Sequence, residues 1–187
     1  MPSLTLPLSS ALGAMNNSLH NKVAGVIGAL LLSSSVFAIE FPEYFSSVQE
    51  QSIENWLMEH QEFQIATDQD CNCENEINSY RKGGGVWPEN LNYHPYYVVG
   101  DFNQDSKDDL AVVFINHHEK NKRYLAIFNG PLIKGSQPVY LAPEDGALFY
   151  GEPRPKPYML IVSEFHSEGV ALEPKGSGYA ISEEKEY

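Results

Sequence analysis

A chain of 187 residues with 25 Asp and Glu against 12 Lys and Arg carries a formal charge of −13. That balance argues against nucleic acid and anionic membrane surfaces as partners, because proteins that bind them present clustered Lys and Arg. It suits a cation binder, or a protein that docks on a basic partner.

The first predicted element is an address. Lys22 precedes a compact apolar run, Val23 to Leu32, and Ser33-Ser34-Ser35-Val36-Phe37-Ala38 follows it. This three-part pattern predicts a secretory signal peptide over residues 1–38, begun at Met1 or at Met15. The run is shorter than the ~20 apolar residues that span a bilayer, although an uncleaved anchor is the rival reading. The expected location is periplasmic or secreted, with no stable membrane insertion after cleavage. Residues 39–187 keep all the acidic residues and 11 basic ones, a formal charge of −14, and have the length of a single domain, expected to be monomeric.

Ser47-Val48-Gln49-Glu50 reads as a Ser-x-x-Glu capping box. Val48, Ile53, Trp56, Leu57 and His60 then fall on roughly one face, which predicts a helix over 47–60. A second helix is expected over 74–81, with Ile77 and Tyr80 inward and Gly83-Gly84-Gly85 ending it. Between the helices lie the two cysteines, Cys71 and Cys73. Export would place them in an oxidising compartment, where a disulfide across one residue is within Cα reach. Free or intermolecular thiols, or a soft-metal or redox role, are the alternatives. Asp68, Asp70, Glu74 and Glu76 read as an acidic helix start, with a second cation site as the alternative.

From Tyr96 onward the pattern is β, with strands expected at about 95–100, 109–116, 122–129, 138–141, 147–150, 157–164, 168–173 and 178–182. His117-His118-Glu119 belongs to a polar hairpin connection, and Glu152 to Pro157 reads as a stiff extended connector. The expected fold class is α+β: N-terminal helices followed by an antiparallel β-sheet meander.

The segment between the first two of these strands, Asp101 to Asp109, reads D-F-N-Q-D-S-K-D-D. Oxygen-bearing side chains fall at Asp101, Asn103, Asp105 and Asp109, the 1, 3, 5, 9 spacing with which a loop wraps a hard cation such as Ca²⁺. Lys107 would add its backbone carbonyl, its ammonium pointing away to solvent, and Asp109 would close the site directly or through water. An EF-hand is excluded, because Ser106 and Val112 stand where its Gly and bidentate Glu belong and the flanks are strands. The stretch V-V-G-D-F-N-Q-D-S-K-D-D-L-A-V-V resembles the FG-GAP/VCBS-type repeat, covering about a tenth of the chain. The resemblance implies a calcium-binding strand–loop–strand hairpin with Asp101, Asn103, Asp105, Lys107 and Asp109 as ligands. Gln104 and Ser106 depart from it, since glycine is usual at both. One copy in a chain this short also excludes a propeller, which needs about four blades or more.

No nucleophile elbow, H-E-x-x-H motif or phosphate loop is present, so no enzyme is expected. His94 and His166 are lone histidines, and nothing in their spacing requires a site. The reading is an exported calcium-binding protein whose ion is structural and whose surface binds a partner, expected to be basic in chemistry. The alternative is a periplasmic or secreted inhibitor or immunity-type protein that blocks a toxin or hydrolase.

Overall fold

The computed structural model describes residues 39–84, 88–151, 158–167 and 169–182. The signal segment, Gly85, the 152–157 connector and the acidic C-terminus lie outside them. In chain order the elements are α1 (Ser47–Glu59), β1 (Phe63–Ile65), α2 (Glu74–Lys82), β2 (Tyr97–Gly100), β3 (Asp109–Asn116), β4 (Lys122–Phe128), β5 (Tyr140–Pro143), β6 (Ala147–Phe149), β7 (Leu160–Ser163), β8 (Val170–Lys175) and β9 (Gly178–Ile181). Single turns of 3-10 helix stand at Asp68–Asp70 and His117–Glu119. Among the described residues no helix is long and apolar enough to cross a membrane.

The fold is a mixed α+β arrangement, but its strands form two antiparallel sheets where one was expected. The first runs β1–β3–β4–β5, with β2 also on β3; the second runs β6–β7–β8–β9. The chain leaves the first sheet at Pro143 and enters the second at Ala147. Gly146 makes that crossing close, since a Cβ there would lie 2.7 Å from Ser163 N and Val162 Cγ1.

β3 is buried at all eight positions, because both of its faces are covered. Successive strand side chains point to opposite faces. Leu110, Val112 and Phe114 therefore meet Ile53, Trp56 and Leu57 of α1. Ala111, Val113 and Ile115 meet Leu148, Leu160, Val162 and Leu172 of the second sheet. The outer face of that sheet, Ala147, Phe149, Ile161 and Ala171, packs on Ile77 of α2. The order of layers is thus helix, sheet, sheet, helix. Trp56 anchors the first interface, with ring centroids 5.0 Å from Phe114 and 5.4 Å from Phe63. Each fully buried large apolar side chain in such a core contributes roughly 1.5–3 kcal/mol.

Three local expectations are corrected. The N-cap of α1 is Ser46, not Ser47: its hydroxyl accepts the Gln49 N–H at 3.4 Å, while Gln49 Oε1 accepts the Ser46 N–H at 2.7 Å. Gln49 wins because the same oxygen also accepts the Tyr97 hydroxyl at 2.9 Å, tying the cap to β2. With that register Val48 faces solvent, 54% exposed, and Gln49 and Ser52 take the inward positions. Finally, β1 was not expected. It is a three-residue edge strand that pairs Phe63–Ile65 with Asn116–Phe114, while β2 takes the other half of the same β3 edge. Gly83 caps α2 as expected, at φ 71°.

Candidate functional site

The 101–109 loop lies between paired strands, since Gly100 and Asp109 are register partners in β2 and β3. Asp101 Oδ1 and Asn103 Oδ1 both accept the Asp105 N–H at 2.9 Å, so these two oxygens converge on one point. Asp101 Oδ2 accepts the Ser106 N–H at 2.9 Å, and Asp105 Oδ1 accepts the Lys107 N–H at 3.0 Å. Gln104 and Ser106 take left-handed backbone at φ 62° and 68°, the two positions where glycine would be at ease. The Lys107 ammonium does not point away: Nζ lies 3.3 Å from Asp105 Oδ2.

Asp109 sits beneath the loop, fully buried. Its Oδ2 accepts the N–H groups of Phe102 (2.9 Å) and Asn103 (3.3 Å) and lies 3.2 Å from the Tyr179 hydroxyl. Its Oδ1 accepts the Gly130 N–H at 2.8 Å. Burial pushes its pKa above the ordinary carboxylate value, and the hydrogen bonds from Gly130, Phe102, Tyr179 and Asn103 pull it back. Oδ2 is thus committed within the protein, and Oδ1 retains an acceptor site beside the Gly130 bond.

Among the described residues no three His, Cys, Asp or Glu side chains gather into a metal-holding group. Asp101, Asp105 and Asp109 therefore do not close into one such group here, and the oxygens the loop offers are carboxylate, amide and carbonyl. Its chemistry fits a hard cation, which takes oxygen ligands of all three types. Each carboxylate oxygen that accepts one N–H keeps a second lone pair, so the bonds that shape the loop do not exhaust Asp101 or Asp105.

Cys71 and Cys73 stand at disulfide distance, with Cα atoms 5.0 Å apart, at the start of α2 and against the Ile77 cluster. His117 and His118 are exposed in the hairpin; His117 Nε2 lies 2.9 Å from Gln64 Oε1. His166 is exposed in a turn.

A second cluster was not legible in the sequence. Arg81 Nη2 donates to Asp68 Oδ2 at 2.6 Å, and its Nε donates to the Tyr93 carbonyl at 2.9 Å. His94 Nδ1 lies 3.0 Å from Asp68 Oδ1, and the ring stacks on Tyr44 at a centroid distance of 3.7 Å. In the linear pattern Asp68 is part of an acidic helix start and His94 a lone histidine. They are separated by 26 residues, so only folding pairs them. Burial, first among the causes, pushes the Tyr44 and Tyr93 hydroxyls far above the usual phenol range. Both hydroxyl oxygens are buried with no hydrogen-bond partner among the described residues. Beside His94 opens a cleft of about 340 Å³, walled by Tyr80, Tyr97, Val98, Leu148 and Tyr150, with Glu89, Asn90 and Asn92 also in its lining.

No family model, curated protein or solved structure matches this chain, and no enzyme family is found for it.

Proposed function

We propose that this chain is an exported calcium-binding protein in which one Ca²⁺ orders the 101–109 loop and the acidic surface serves as a binding module for a basic partner. The observation that carries this reading is the convergence of Asp101 Oδ1 and Asn103 Oδ1 on the Asp105 N–H, with the turn held left-handed at Gln104 and Ser106. A loop that only reverses the chain needs one or two such residues. Asp101, Asn103 and Asp105 would hold the ion with the Lys107 carbonyl, and Asp109 would meet it through Oδ1 or a water. The bound ion would supply positive charge to three carboxylates that otherwise repel. Export rests on the Val23–Leu32 run and the Val36-Phe37-Ala38 cleavage pattern.

The test is calcium titration of the purified protein by calorimetry and thermal unfolding, beside an Asp105→Ala variant. The expected result is a rise in melting temperature with Ca²⁺, at an affinity of about 10⁻⁴–10⁻³ M as in extracellular sites, that the variant lacks. No calcium response in either protein would sink the reading.

A further inference from the structure

The cleft beside His94 lies at the edge of the layered core and reaches the 101–109 loop only through Tyr150, whose hydroxyl donates to the Asp101 carbonyl at 3.1 Å; its lining has a consistent chemistry. At about 340 Å³ it stands at the small end of ligand clefts and has room for one long side chain. Its accessible walls include Val98 and the tyrosine rings of β2 and the β6 end, which suit an aliphatic stem, with Leu148 buried beneath them. Glu89, Asn90 and Asn92 are exposed, and their oxygens are acceptors. Among the described residues no ion pair engages Glu89. No Lys or Arg is among the cleft's described lining residues. Arg81, the nearby guanidinium, is spent on Asp68 and on the Tyr93 carbonyl. The site is therefore poor in free cations and rich in acceptors and aromatic surface. That combination disfavours phosphate or carboxylate ligands and favours a cation on an apolar stem. The net charge of −13 draws the same ligand toward the protein from a distance.

We infer that this cleft is the recognition site for an alkylammonium group, carried as a lysine side chain of a basic protein partner. The inference rests on the proposed reading that the surface binds a basic partner, and it supplies a place and a chemical group for that contact. The butyl stem lies along Val98 with the tyrosines beside it. The ammonium meets Glu89 and the amide oxygens of Asn90 and Asn92.

The experiment follows backbone amide shifts of the full protein on titration with N-acetyl-lysine methylamide. Controls are the same compound acetylated on its side-chain nitrogen, methyl glucoside, and spermidine. Saturable shifts are expected at residues 89–98 and 148–150 with the lysine compound and not with the acetylated or sugar compounds. Glu89→Gln should weaken binding roughly tenfold, the loss of one charge-assisted contact. Asn92→Lys, which supplies the cation from the protein itself, should abolish it. Both positions are exposed, so neither change threatens the fold. Equal shifts with the acetylated compound or the glucoside overturn the charge-based assignment in favour of a neutral ligand. No saturable shift with any compound overturns the site. Spermidine binding about tenfold tighter than the lysine compound overturns the protein-borne source in favour of a free polyamine. Repeating the series in calcium and with Asp105→Ala separates this outcome from the calcium reading when it is judged at residues 89–98, because calcium acts on the 101–109 resonances and, through the Tyr150 bond to Asp101, on 148–150.

Discussion

The Tyr179 hydroxyl stands 3.2 Å from Asp109 Oδ2, so the last strand of the second sheet is pinned to the head of β3 in the first. The same hydroxyl lies 3.0 Å from Asn129 Oδ1, just past β4. One phenol therefore joins three strand ends under the 101–109 loop. Removing it with Tyr179→Phe should cost about 1–2 kcal/mol in urea unfolding. Asp109→Ala should cost more, because it strands the buried Phe102 N–H as well as the bonds to Asn103 and Gly130. A double-mutant cycle should give a clear coupling energy; additive effects would show that the contact does not hold the sheets together.

Ser106 adopts φ 68° although it carries a Cβ. Ser106→Gly should stabilise the protein by up to about 1 kcal/mol, since the left-handed backbone then costs little. Ser106→Val should destabilise it, as β-branched residues tolerate that conformation poorly. The melting temperatures of the two variants, taken without added metal, check the ordering.

Gly130 packs so tightly that an added Cβ would run into the Asp108 carbonyl oxygen. Its N–H is also one of the Asp109 donors. Backbone cannot swing aside as a side chain can, so Gly130→Ala should destabilise by about 1–3 kcal/mol. Asp109 should also lose the Gly130 contact, and with it part of any calcium response. Gly130 does not stand at positive φ, so this cost is one of space alone; Gly176→Ala, in an open turn at φ 63° where a Cβ meets nothing within 4 Å, shows the opposite case of backbone strain without a clash.

Glu144 has its pKa raised, first by burial, with the Tyr140 hydroxyl bond at 3.2 Å opposing and Asp145 adding to the rise. Tyr140 is itself pushed up to about 12, again mainly by burial. A carboxyl whose folded value is raised contributes stability that is full below its unfolded value and is lost as pH rises through the folded one. Glu144→Gln removes that titration and keeps an acceptor for Tyr140. The variant should therefore gain on the parent as pH rises through the carboxylate range and hold a constant difference at higher pH. Urea midpoints from pH 3.5 to 8 measure this; a pH-independent difference would refute it.

Chain order and local pattern determined much of this protein. α1 and α2 are written in their apolar spacing and in the Gly83 stop, and β3 and β4 in uninterrupted β-branched and aromatic runs. The 101–109 loop is equally local: its turn bonds link residues two to five apart, so the placement of Asp and Asn is enough to suggest them. What the sequence could not carry is which distant surfaces meet. The strands divide into two sheets because β3 and β4 must cover one face with α1 and the other with β6–β8, a choice made by packing. Three residues at 63–65 form a strand only because half of the β3 edge stands open to them. Burial of Asp109 depends on Gly130 and Tyr179, 21 and 70 residues further on. Asp68, Arg81 and His94 are ordinary surface residues in the linear pattern and become one cluster when α2 docks. Periodicity and turn chemistry act over a few residues, whereas burial and ion pairing are settled by whatever the tertiary fold brings within a few ångströms.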